Sequence, residues 1–159
     1  MYKLLLFVML LFCSSVFSQK ETSKNEIDRY KREVKETILD FFEGFHSGDT
    51  SKLNKVMSPQ LVLQTIIRDK DSLVKVRSTS ADKLIKAIAN KPSDQKWEEK
   101  LLSFTISANK DIANAWTPYE FYLNNSFSHC GVNIFQLYND GKGWKIIALA
   151  DTRHKQNCD

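Results

Sequence analysis

The chain has 159 residues, 42% of them hydrophobic and 11% aromatic, with 23 Lys plus Arg against 19 Asp plus Glu and three cysteines. That composition excludes a disordered chain and a disulfide-dense miniprotein, and it is enough to build the core of one domain. A net charge of +4 without a basic cluster gives no footing for nucleic-acid binding.

The first element is a leader. Lys3 precedes the apolar run Leu4–Phe12, and Val16-Phe17-Ser18 offers a small residue for cleavage before Gln19. The run is too short for a comfortable membrane span, which needs roughly 20 residues. Residues 1–18 are therefore expected to act as a signal peptide, residues 19–25 as a flexible polar start, and residues 26–159 as one exported domain without a stable membrane span. Cys130 and Cys158 remain after the leader, and an even pair in an exported protein is expected to form a disulfide.

From Ile27 the apolar residues Ile27, Tyr30, Val34, Ile38, Phe41 and Phe45 recur at steps of three and four, which predicts an amphipathic helix. Ser23 and Glu26 have capping-box spacing before it, and Gly48 follows its end. Asp49 can cap a short second helix carrying Leu53, Val56 and Met57, which Pro59 keeps from continuing. Leu61–Ile67 reads as a strand and Leu73–Ser78 as a shorter one, with Ser80 capping a third helix through Leu84, Ile85 and Ile88.

After Trp97 the pattern is strands and short polar turns: Trp97–Ala108, Ile112–Leu123, Phe127–Tyr138 and Trp144–Thr152. Helices segregated from an antiparallel meander make an α+β fold with a curved antiparallel sheet of about six strands around about three helices. In the last strands Phe135, Leu137, Ile147 and Leu149 share one parity. Val132, Ile134, Tyr138, Trp144, Ile146 and Ala148 share the other. A second apolar sheet face needs cover, and a homodimer through that face is the expected supplier.

Specific segments resemble the nuclear transport factor 2-like superfamily, a cone of curved sheet wrapped around helices. They are Gly48-Asp49 with Leu53, Trp116-Thr117-Pro118-Tyr119-Glu120-Phe121-Tyr122, His129-Cys130-Gly131-Val132, Gly143-Trp144-Lys145-Ile146 and Asp151-Thr152-Arg153. The combination is similar to exported bacterial members of SnoaL-like and lumazine-binding-like type, over about residues 26–155. The resemblance implies the cone fold. Superfamily members include isomerases, cyclases, dehydratases, hydrolases and pure binding or transport domains, so fold does not select an activity.

Register arithmetic about Gly141 sets His129 opposite Arg153, Gly131 opposite Asp151, and Asn133 opposite Leu149 on the face of Phe135. The Asn124-Asn125 turn brings Glu120 or Tyr119 opposite His129. Glu120, His129, Asp151 and Arg153 are thus candidates for one cross-strand row, with Asn133, Tyr119, Tyr122 and Gln64 as further lining candidates. A carboxylate beside a histidine can hold a base or bind a polar ligand, Arg153 can grip an anion, and the same groups can form a structural ion pair. The histidines lack metal-binding spacing and there is no C-x-x-C, so neither a metal site nor a cofactor is expected. Small-ligand binding without catalysis is the leading expectation. An enzyme of isomerase, cyclase or dehydratase type and a protein-interaction module are the alternatives.

Overall fold

The computed structural model describes residues 2–71, 73–156 and 158, giving backbone alone for residues 2–23. The expected leader over residues 1–18 lies outside the side chains so described. Helix α1 runs Tyr2–Ser47. It therefore passes through Ser23 and through residues 19–25, where loose chain was expected. No Gly or Pro stands between Gln19 and Ile27 to stop it.

The expected stripe is what α1 buries: Val34, Ile38, Phe41 and Phe42 are core residues. Gly48 takes a positive φ of 78° and ends the helix. Asp49 then caps α2 (Thr50–Val56), accepting the Lys52 N–H at 3.0 Å. Strand β1 follows at once as Met57–Arg68, then β2 (Val74–Ser80) and α3 (Ala81–Ala89) with Ser80 as its N-cap. The expected strand Trp97–Ala108 is two strands, β3 (Trp97–Leu101) and β4 (Thr105–Ala108), both paired to β5 (Ile112–Leu123). Strands β6 (Ser126–Asn139) and β7 (Trp144–Thr152) complete the chain's regular structure.

The α+β fold with three helices and one curved, unclosed sheet is as expected, with seven strands rather than six. The order is β2-β1-β7-β6-β5-β3, with β4 also on β5. One pairing departs from the meander: β1 lies parallel to β7. No hairpin joins those two strands, so no short turn forces them to run opposite ways. Helix α1 packs on the concave face, where Phe41 and Phe42 each meet Phe135 edge-on at 6.0 Å.

A bulge corrects the reading of the last strand. Gln136 pairs with Ala148 but Leu137 pairs with Ile146, so Ile147 is an extra residue. Trp144 and Ile146 thereby turn into the core beside Leu137 and Leu149, not onto the opposite face. The convex face keeps a smaller apolar set, with Trp116, Ile134 and Val62 at 48%, 40% and 45% exposure.

Candidate functional site

Four buried polar residues stand in one row on the concave face. Thr117 is opposite Asn133, Asn133 opposite Asp151, and Asp151 beside Thr65, on the adjacent strands β5, β6, β7 and β1. On one side of the row lies the apolar core row of Ala115, Phe135, Leu149 and Leu63. On the other side Tyr119 and Phe121 face Gly131 and His129. The row therefore divides the apolar core from the end of the concave face that carries Tyr119, Phe121 and His129.

Asp151 is the best-held member. Thr65 donates its hydroxyl to Oδ1 at 2.6 Å, and Arg153 donates Nε–H to Oδ2 at 2.8 Å. These are charge-assisted bonds to a buried carboxylate, and they fix the guanidinium as firmly as the acid. Tyr119 is almost fully buried and gives its hydroxyl to the Thr152 carbonyl at 2.9 Å. That carbonyl reaches it because residue 131 is glycine: a Cβ there would lie 1.9 Å from the Thr152 oxygen. At the opposite end of the row, the Thr117 hydroxyl is buried with no hydrogen-bond partner among the described residues. A buried hydroxyl is seldom left so, and this one faces the same polar row.

Glu99, from β3, was not a candidate on the sequence and is central here. Its partly buried carboxyl accepts the Asn133 side-chain N–H at 2.7 Å. Burial, assisted by the Asp151 charge, pushes the acid up to about 8, against the pull of the Asn133 bond. It is thus protonated at neutral pH. Its backbone N–H donates to His46 Nε2 at 2.8 Å, so that nitrogen is the unprotonated one and His46 is neutral. Burial lowers His46 as well. The alternation Trp97-Glu98-Glu99-Lys100 looks like a solvated edge. Only the position of Glu99 opposite Phe121 marks it as inward.

His129 is on the concave face, its ring stacked on Phe121 at 4.9 Å. Burial and then the Arg153 charge draw its pKa down to about 4, so it is a neutral ring. Asn133, Asp151, Tyr119 and Arg153 also belong to this side. Asn133 is opposite Asp151 rather than Leu149, a slip of two that preserves the face.

Three candidates are not brought to the site. Glu120 pairs with Cys130 and points to the convex face, where Tyr122 donates its hydroxyl to it at 2.8 Å. The cause is a second bulge. Leu123–Ser126 and Tyr122–Phe127 follow the tight turn, but Ser128 is then skipped and His129 falls opposite Phe121. Tyr122 shares the convex side with Glu120, and Gln64 is exposed there opposite Ser78. Cys130 and Cys158 form the expected disulfide, with Cα atoms 5.7 Å apart.

At the rim, a cleft of about 430 Å³ opens between the ends of β1 and β6 and the tail after β7. Arg68, Ser128, His129, Arg153, His154 and Lys155 are among its walls. The tail is held there by paired backbone bonds between Cys130 and His154 and by the disulfide. No cluster of potential metal ligands occurs among the described residues.

Residues 29–150 match the family described as "Putative lumazine-binding", and the chain belongs to that family. Its fold is that of nuclear transport factor 2-like proteins. One such protein of unknown function from Shewanella baltica superposes with a TM-score of 0.58 at 15% identity, covering 80% of this chain and 96% of that one. A "putative dehydratase" from the nuclear transport factor 2-like family, from Streptomyces avermitilis, gives 0.60 at 14%, covering 77% and 94%. A protein with a cystatin-like fold from Novosphingobium aromaticivorans gives 0.60 at 13%, covering 81% and 84%. No curated protein matches the chain.

Proposed function

We propose that this member of the lumazine-binding-like family binds a small organic ligand in its cone, at the end of the concave face that carries Tyr119 and His129, without catalysis. The observation that carries the reading is the buried Thr117 hydroxyl. It has no hydrogen-bond partner among the described residues and ends a polar row whose other members are satisfied. A ligand polar atom or a water held by one would complete it. The stacked rings of Phe121 and His129 supply a flat apolar wall beside that row, the usual mixture of a small-molecule site.

Lumazine, the heterocycle in the family's description, is the first probe. Saturable quenching of its fluorescence, weakened at least about tenfold in Thr117→Val or His129→Ala, supports the reading. Absence of saturable binding by lumazine and by simple aromatic acids and amides overturns it.

One observation favours a second reading, an acid–base enzyme of isomerase or dehydratase type. Glu99 keeps its proton at neutral pH while Asp151 is tied to Arg153 as an ion pair. Two acids so differently placed could serve as donor and base. Glu99→Gln separates the two readings, since a binder retains its ligand in that variant and an enzyme loses turnover.

An exported setting fits the disulfide, and no helix among the described residues is long and apolar enough to cross a membrane. We further propose that a second copy covers the convex row of Trp116, Ile134 and Ala150.

A further inference from the structure

We infer that the rim cleft holds the anionic group, a carboxylate or a phosphate, of a planar aromatic ligand. This rests on the binding reading above and names the ligand's chemistry.

Three cationic side chains, Arg68, Arg153 and Lys155, border the cleft, and its lining carries no carboxylate among the described residues. Arg153 is not an ordinary surface arginine. Its Nε is committed to the buried Asp151, which Thr65 holds in turn, so the guanidinium plane is set before any ligand arrives. The side chain is still 46% exposed, and its terminal nitrogens have no partner among the described residues. A planar fork with one edge anchored and the other open is arranged for bidentate capture of an oxyanion.

The cleft is a built feature. Residues Arg153 to Lys155 are consecutive, and the middle one is fastened to Cys130 by N–H···O bonds of 2.8 and 2.9 Å in the two directions. The disulfide to Cys158 then closes the tail on the same residue. The neutral ring of His129, backed by Phe121, stands beside Arg153 and offers a face to an aromatic ring attached to the anion. A volume of about 430 Å³ suits a small molecule and not a polymer.

Calorimetric titration with benzoate, phenyl phosphate and benzamide tests the inference and separates the two anions. At least one anion is expected to bind about tenfold or more tightly than benzamide, with affinity falling as salt is added. Arg153→Gln, which can still donate to Asp151, is expected to cost at least about tenfold, and the exposed Lys155→Ala a few-fold. Bound anion should also move the His129 titration, read by NMR, to higher pH. Equal binding of benzamide and both anions, indifferent to Arg153→Gln, overturns the inference and leaves the binding reading standing. Binding of lumazine alone has the same consequence. Failure of all four probes overturns both.

Discussion

Asn133 donates a side-chain N–H to Glu99 at 2.7 Å, joining β6 to β3 across the strand that lies between them. The acid stands where burial weakens the hydration of its charge, and the bond only partly offsets this. The folded protein holds a proton on Glu99 up to about pH 8, whereas the unfolded chain loses it near the ordinary 4.5. The folded state therefore binds more protons, and stability falls as pH rises through that interval. Below about 6.5 His129 acts oppositely: its pKa is lowered to about 4, so the unfolded chain takes up that proton first. His46, also lowered, works in the same direction as His129. The Glu99 effect stands clear only between about 6.5 and 8, where it amounts to about 2 kcal/mol. Urea unfolding across that window should show the loss, and Glu99→Gln should flatten it. A flat wild-type profile would contradict a Glu99 that is neutral at pH 7.

Glu99 also shows where the sequence stops being legible. The helix stripe from Val34 to Phe42, the caps Asp49 and Ser80, and the turns at Asn124 and Gly141 are all local signals, and each appears where expected. Faces on long strands are not local. Two single-residue bulges, at Ser128 and Ile147, exchange the faces of Glu120 and of Trp144 and Ile146, and neither residue type announces a bulge. His129, Asn133, Asp151 and Arg153 kept their side because the slip in their hairpin is two. Glu99 stands between two charged residues and becomes inward only through its pairing with Phe121.

Gly131 is the hinge of the site's geometry. The Thr152 carbonyl occupies the space a Cβ would take, and from there it accepts the Tyr119 hydroxyl. Gly131→Ala must push β7 away at Thr152, between Asp151 and Arg153. The expected cost is about 1–3 kcal/mol in unfolding free energy, together with altered NMR shifts for the Arg153 side chain. An alanine variant with wild-type stability and unmoved Arg153 signals would show that the close approach is unimportant.

The disulfide spans 28 residues of sequence and ties the tail that forms one wall of the rim cleft. Replacing both Cys130 and Cys158 with serine should lower stability by about 3 kcal/mol. Hydrogen exchange at His154 and Lys155 should speed up more than at Phe135 in the core, because the bridge acts on the tail. Mass analysis after alkylation of the native protein checks the bridge itself. Labelling of Cys130 without prior reduction would mean that the pair is not joined.

The convex face provides the last test, of a second copy as partner. Trp116 and Ile134 are opposed on β5 and β6, and Ile134 is opposed to Ala150 on β7. Val62 lies one row away beside Ala148. The bulge at Ile147 removes Trp144 and Ile146 from this face, so its remaining apolar set is narrow and centred on Trp116. In a twofold pairing the same row meets itself, and Trp116 would lie near its own symmetry mate or against Ile134. Trp116→Arg then introduces a charge on each side of the contact and removes its largest apolar residue. Light scattering should give a dimer for the wild type and a monomer for Trp116→Arg, with circular dichroism unchanged. Wild-type protein that stays monomeric at high concentration would leave the exposed Trp116 to some other partner, because a tryptophan at 48% exposure within an apolar row gains from being covered.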